Sequence, residues 1–236
     1  MNIFDSHHHI DITIEYKTPN IRSGYDLSDF LKQQDKKRLV ETKLALGLHP
    51  WFVHEQDIPS LEKYQLEWSK SLPEADFIGE IGLDFSDKYK SSRQKQELVF
   101  EMLIRQTTSF HGGYILHLVK SENVAINILK KYGNEYYGFV HSFRGNSLQM
   151  QEFISLGFLI SLGPNILLPM RDSVKQMIRD LPLDSLLIES DAHHAEEQSE
   201  LLNQVARHVS SIKDIPVDDL VHAANDNHKR LVNLVA

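Results

Sequence analysis

Apolar residues in this chain gather into short continuous runs, at residues 2–5, 44–48, 77–83, 114–116, 137–140, 158–161 and 186–188. Continuous runs, rather than alternating ones, suit parallel strands covered on both faces. Between them the spacing turns helical. Residues 94–107 carry Leu98, Val99, Met102 and Leu103, and residues 122–131 carry Val124, Ile128 and Leu129. Residues 150–155 and 174–179 read the same way. The tail holds two helical patterns, one through Leu202, Val205 and Val209 and the other through Leu220, Val221, Ala224 and Leu231. Strand and helix therefore alternate, which predicts parallel βαβ units. Seven parallel strands are accommodated more economically in an α/β, TIM-type (β/α) barrel than in an open sheet. Between residues 9 and 44 only one helical stretch is visible, at 26–42, so the barrel is expected to be shortened or distorted and its cleft more open. No repeat or linker interrupts the pattern, and residues 1–236 read as one domain.

The polar residues sharpen this picture. Histidine or carboxylate recurs where an apolar run stops: His7, His9, His49, Glu80, Asp84, His117, His141 and Asp191. In a parallel barrel the C-terminal strand ends all open on one face, where active sites of this architecture lie. His7 and His9 on an extended segment point to the same side, with His8 facing away. They are placed to grip one metal ion, although a chance cluster or a tag fragment would also look like this. Glu80 inside an apolar strand is costly to bury unless it is paired or metal-bound, and Gly79 and Gly82 leave space beside it. Taken singly, His117 and His141 are ordinary core histidines and Asp191 an ordinary helix cap. On one rim, with no sulfur available, the set suits one or two divalent ions of the Zn, Mn or Mg kind.

Composition narrows the classes further. The 236 residues include no cysteine, which excludes a disulfide framework, a thiolate zinc site, a cysteine nucleophile and an iron–sulfur cluster. No apolar run reaches the ~18–20 residues of a membrane span. No basic segment followed by a long apolar one opens the chain, so no secretory signal is read and a cytoplasmic location is expected. The outlier is histidine, with 13 copies. The net charge of −8 argues against a broad basic face for nucleic acid.

The motifs carry a family resemblance. Asp5-Ser6-His7-His8-His9 resembles the Asp-x-His-x-His opening of the TatD family of metal-dependent deoxyribonucleases, within the amidohydrolase-like barrels. Gly47-Leu48-His49-Pro50 resembles its Gly-x-His-Pro, and Gly79-Glu80-Ile81-Gly82-Leu83-Asp84 its Gly-Glu-x-Gly-Leu-Asp. His141-Ser142-Phe143-Arg144-Gly145 is similar to its His-x-Phe-x-Gly, and Leu187-Ile188-Glu189-Ser190-Asp191 to its Leu-Leu-Glu-Thr-Asp. His117 falls at the family's strand-end histidine. Residues 96–100 and 227–231 resemble lesser signatures, and the likeness runs from residue 1 to about 232.

The resemblance implies a hydrolase that cleaves DNA phosphodiesters, single-stranded or from an end, with a metal-activated water and two divalent ions. By it His7, His9, Glu80, His117, His141 and Asp191 are the metal ligands, with Glu80 bridging. Glu80 and Asp191 are then the catalytic carboxylates, Asp191 taking the proton of the attacking water. His49, Asp84 and Lys120 fall on the substrate side or behind the ligands. Two ions add about four positive charges where a phosphate must sit, so an acidic chain and a DNA substrate are compatible. Three departures stand out. Lys120 follows His117 where the family often has an arginine nearby. His193 and His194 follow Asp191 where it usually has a proline, as further ligands, proton shuttles or solvent-facing loop residues. The chain is also short. Hydrolysis of another ester or an amide, or service as a subunit of an operon-encoded assembly, are the other readings.

Overall fold

The computed structural model describes residues 2–11, 20–37, 42–133 and 135–234. Its parallel strands are β1 Asp5–His8, β2 Asn20–Ser23, β3 Thr42–Leu46, β4 Phe77–Asp84, β5 Gly113–Val119, β6 Gly138–Val140, β7 Phe158–Leu162 and β8 Leu186–Ile188. They lie side by side in chain order. The helices are α1 Leu27–Lys37, α2 Pro50–Glu55, α3 Ile58–Ser71, α4 Arg93–Gln106, α5 Glu122–Tyr132, α6 Ser147–Ser155, α7 Asp172–Asp180, α8 Ala195–Lys213 and α9 Val217–Leu234. The seam between β8 and β1 closes just past the strand ends. Asp191 N donates to His7 O (3.0 Å) and His9 N to Ala192 O (2.8 Å). Asp5 locks it with its carboxylate, accepting from Ser190 N, Ser190 Oγ and Gln198 Nε2 at 2.9, 2.6 and 2.7 Å. The result is a (β/α) barrel.

The seven-strand expectation needs correction. The eighth strand, β2, reads Asn-Ile-Arg-Ser and is buried throughout. Its polar side chains are compensated in place: Arg22 forms two bonds with Asp29 of α1, at 2.7 and 2.8 Å. Three compensated polar residues out of four erase the apolar run that marks a buried strand. The barrel is therefore not short of a strand. Two further shifts are local. The first strand is the histidine motif itself rather than residues 2–5, and His117 lies within β5 rather than at its close. The helix expected at 26–42 is described as far as Lys37, and its residues 38–41 lie outside the described residues. Helices α2 and α3 had no marked pattern, yet α3 buries Trp68 completely.

Period-two alternation divides the strand side chains into two cores. Ile21, Ala45, Phe77, Ile115, Phe139 and Leu187, from six different strands, form an inner cluster with Leu231 of α9. A larger cluster, including Leu44, Leu46, Ile78, Leu116, Val140 and Ile160, lies against the helices. Two residues beyond four of these six positions the same parity continues into polar ones: Ile21 to Ser23, Ile115 to His117, Phe139 to His141 and Leu187 to Glu189. These polar residues thus form a layer of the barrel interior beyond the inner apolar cluster. Strand β4 alone breaks phase. Ile78 pairs with Tyr114 and Ile81 with Leu116, so β4 advances three residues where β5 advances two. That bulge puts Glu80 and Asp84 on the inner parity while Ile81 and Leu83 pack outside. Gly79 and Gly82 make it possible, since a Cβ on them would lie 2.4 Å from Ile115 Cβ and 2.0 Å from His117 O.

Helix α9 buries His228 against the edge of Phe4, with Nδ1 3.4 Å from Ser6 Oγ and Nε2 unpaired. Burial lowers its pKa to about 4. Between pH 6.5 and 4 the unfolded chain binds this proton and the folded chain does not, so His228 makes stability fall as pH falls. The slope is about 1.4 kcal/mol per pH unit over that window. Urea unfolding of wild type and His228→Gln across it should show the stability difference changing by that amount. A difference independent of pH would remove the assignment. Among the described residues no helix is long and apolar enough to cross a membrane.

Candidate functional site

The structure brings His7, His9, Glu80, His117, His141 and Asp191 into one cluster at the C-terminal ends of the strands. Glu80 lies at its centre, 1% exposed, and its two oxygens face different partners. Oε1 is 3.0 Å from His9 Nε2 and 3.5 Å from His7 Nε2. Oε2 is 3.1 Å from His141 Nε2 and 3.2 Å from His117 Nδ1. Asp191 joins the first group, its Oδ1 3.5 Å from His7 Nε2 and 3.8 Å from His9 Nε2. Its side chain is 34% exposed, so it reaches solvent where Glu80 does not.

Ring nitrogens face one another within each group. His7 Nε2 and His9 Nε2 are 3.2 Å apart, and His117 Nδ1 and His141 Nε2 are 3.1 Å apart. Two imidazoles bound tetrahedrally to one zinc at its usual distances would hold their nitrogens about 3.3 Å apart. Glu80 Oε1 is also buried without a hydrogen-bond donor. An orphaned carboxylate oxygen between paired imidazole nitrogens is the arrangement a cation satisfies. The residues present therefore fit divalent ions, and three triads could hold one: His7–His9–Asp191, His7–Glu80–His141 and His49–Glu80–His117.

The remaining ring nitrogens point to a supporting layer. His9 Nδ1 donates to Ser23 O (3.1 Å), which leaves its Nε2 as the lone-pair nitrogen. His7 Nδ1 lies 2.8 Å from Ser23 Oγ. His141 Nδ1 lies 3.2 Å from Glu189 Oε1, which also accepts from Ser142 N (2.8 Å). His117 Nε2 lies 3.5 Å from Asp84 Oδ2, and that oxygen accepts from Trp51 Nε1 (2.7 Å). Partners of this kind fix tautomer and ring orientation. Gln96 of α4 clamps the end of β4, accepting from Asp84 N (2.7 Å) and donating to Asp84 O (3.1 Å).

Electrostatics follow from this packing. Burial alone would raise Glu80, but the surrounding His141, His7, His49 and His117 hold it well below the usual carboxylate range. Burial opposes protonation of His141, yet Glu80 and Glu189 raise it well above an ordinary histidine. Burial, reinforced by His117, keeps His49 well below. Burial pushes Asp5 up to about 7 against four hydrogen bonds that favour its charged form. Backbone geometry at the rim is also unusual. Lys120, Ser142 and Asp191, each just beyond a strand, have φ of 56°, 48° and 48°, a left-handed conformation that costs non-glycine residues energy and concentrates at functional sites.

The other expected positions divide. His49 is the N-cap of α2, 2% exposed, with Nε2 3.7 Å from Glu80 Oε2, so it stands inside the cluster rather than at its mouth. Asp84 stands behind His117. Lys120 is exposed and lines a cleft beside the cluster. His193 stacks on His9 with ring centroids 5.1 Å apart, and its ring lies 3.2 Å from Tyr25 Oη. His194 is exposed at the start of α8. Sequence reasoning missed Ser23, Tyr25, Trp51 and, as a separate group, Glu189. Tyr25 stacks flat on His9 at 4.1 Å, and only its position after β2 could have announced it.

Comparison with known proteins fits this geometry. The sequence profile of the family described as TatD related DNase matches residues 4–233. The chain is 31% identical over 199 residues to the uncharacterized metal-dependent hydrolase YjjV of Escherichia coli (strain K12), covering 80% of this chain and 76% of that one. The crystal structure of the same YjjV superposes with a TM-score of 0.79 at 24% identity, over 98% of both chains. Human deoxyribonuclease TATDN3 is 26% identical over 164 residues, 65% of this chain and 58% of its own. The human 3'-5' RNA nuclease TATDN2 is 25% identical over 204 residues, 80% of this chain but 26% of its own. With one family's profile running from the first strand to the last helix around a histidine–carboxylate rim, the chain belongs to the TatD related DNase family and is a metal-dependent hydrolase.

Proposed function

We propose that the protein hydrolyses phosphodiester bonds in DNA, single-stranded or from an end, with two divalent ions held on the barrel rim. The observation that carries this reading is Glu80, whose two oxygens each face a separate pair of histidine nitrogens. His7, His9 and Asp191 would hold one ion, His117 and His141 the other, with Glu80 shared between them. When bound, such a pair supplies Lewis acidity to phosphoryl oxygens and lowers the pKa of water.

The chain's own residues do the rest. Ser23, Glu189 and Asp84 keep the four imidazoles aimed inward. The inner core beneath them, with the Phe139 ring 6.4 Å from His7, keeps bulk water out from below. Asp191 is the ligand carboxylate that reaches solvent, and it accepts the proton of the attacking water. A carboxylate so placed contributes about 10²–10⁴-fold as a general base. DNA rather than RNA is the substrate proposed, in line with the name of the TATDN3 relative; the RNA nuclease TATDN2 makes RNA the necessary control. The test is incubation of the protein with labelled single-stranded DNA and RNA, and with ester and amide reporters, in Mg, Mn or Zn. Metal-dependent cleavage of DNA, lost in His7→Ala and reduced in Asp191→Asn, is expected. Turnover of an ester or amide with no cleavage of either nucleic acid would overturn the reading.

A further inference from the structure

A cleft of about 600 Å³ opens beside the cluster, formed by the segments that follow β5, β6 and β7. Lys120, Ser142, Arg144, Asn165 and Arg171 line it. It begins where the candidate site ends: Ser142 follows His141, and Lys120 lies three residues past His117. Three of its lining side chains are cationic and one, Glu122, is acidic, on a chain whose net charge is −8. One of the cations is also held in place. Arg144 donates through Nη2 to Pro169 O (2.9 Å), which docks the guanidinium on the segment after β7 and leaves its other N–H groups free for a ligand. Asn165 donates to Ser142 O (2.6 Å) and ties that segment to the end of β6. Its amide oxygen is buried with no hydrogen-bond donor. An anion and a donor are therefore both wanted in the same cleft.

We propose that this cleft binds a backbone phosphate of the polynucleotide next to the bond being cut, with Lys120, Arg144 and Arg171 as its cationic wall. Asn165 Oδ1 accepts from an N–H of the adjoining base. The assignment rests on the phosphodiesterase reading above and adds where the strand runs: from the rim across the ends of β5, β6 and β7. A substrate with a single phosphodiester fills the metal centre and leaves the cleft unused. A strand fills both. Guanidinium groups suit this role because their fork of donors matches two phosphate oxygens. The cleft thus selects polynucleotide over small ester.

The experiment uses the full chain, in EDTA to prevent cleavage, with a fluorescent single-stranded oligodeoxynucleotide of about a dozen residues as the probe. Anisotropy titrations across a range of salt give affinity and its salt slope. Arg144→Gln/Arg171→Gln should weaken binding about ten- to a hundredfold, and should make the log–log salt slope shallower by about 0.7 for one lost phosphate contact. Arg171→Gln alone, at an exposed side chain, should move both in the same direction and guards against a folding defect from Arg144. In the presence of metal, the same variants should lose preference for the oligonucleotide over a bis-aryl phosphodiester, chiefly through KM. Wild-type affinity and slope in the double variant, or no binding by wild type, would overturn the cleft assignment. Those outcomes are separable from failure of the parent reading. Cleavage by wild type with unchanged binding by the variants removes the cleft alone. Arginine-dependent binding without cleavage under any metal removes the catalysis alone.

Discussion

Glu80→Gln is expected to strip the protein of most of its bound metal and to lower kcat on a phosphodiester by about three orders of magnitude or more. The substitution keeps the volume but removes the charge shared by both histidine groups. It also replaces one carboxylate oxygen with an NH2 group, whose N–H would hydrogen-bond the lone pair of a histidine nitrogen 3.0 or 3.1 Å away and so take the place a cation needs. Metal ions at such sites supply several kcal/mol of transition-state stabilisation, and each 1.36 kcal/mol is tenfold in rate. Glu189→Gln provides the graded comparison. Glu189 touches His141 and the Ser142 amide but no other member of the cluster, so its loss should cost about 10–100-fold in metal affinity. Elemental analysis after dialysis, paired with rates at saturating metal, separates the two. Added metal should restore Glu189→Gln and leave Glu80→Gln inactive. Full metal content and wild-type turnover in Glu80→Gln would remove the two-group reading of the cluster.

How much of this was legible beforehand depended on what each residue needed from distant ones. The inner-face residues His117 and His141 follow apolar strand positions at period two, so their convergence was readable from local pattern plus barrel topology. Glu80 was readable only as an anomaly. Its inward direction depends on a one-residue bulge that flips the phase of β4, and no periodicity announces a bulge in advance. Strand β2 was invisible because it stabilises its polar side chains through partners elsewhere: Arg22 on Asp29 of α1, and the Ser23 hydroxyl on the ring of His7. Glu189 was hidden by its neighbour. In Glu189-Ser190-Asp191 the eye falls on the ligand-like aspartate, but parity places Glu189 inward and fully buried, while Asp191 reaches the rim by a left-handed turn. The supporting layer is thus the least legible part of the site, because its members are defined by what they touch.

Asp29→Ala is expected to lower unfolding free energy by about 3–5 kcal/mol, although Asp29 lies outside the rim. Arg22 is 3% exposed on the outer face of β2, and Asp29 holds its guanidinium with both oxygens. Removing the carboxylate leaves a buried charge with Ile10 O at 3.3 Å and Asp11 at 3.8 Å as its remaining partners. The loss is a large share of the roughly 5–15 kcal/mol available to a domain, and should lower Tm by about 10 °C at this chain length. The double variant Arg22→Met/Asp29→Leu should recover most of it, since apolar residues of similar volume replace a buried ion pair at little or no net cost. Activity should not recover in step. Asp29 Oδ2 also accepts from Tyr25 N (3.2 Å), and Tyr25 is the ring stacked on His9, so both variants release the tyrosine. Calorimetry and metal-dependent turnover on the same three proteins would show this separation. If Asp29→Ala melts with wild type, the buried pair is not what holds β2 in the barrel. If the double variant regains full activity with its stability, Tyr25 does not depend on Asp29 for its place beside the site.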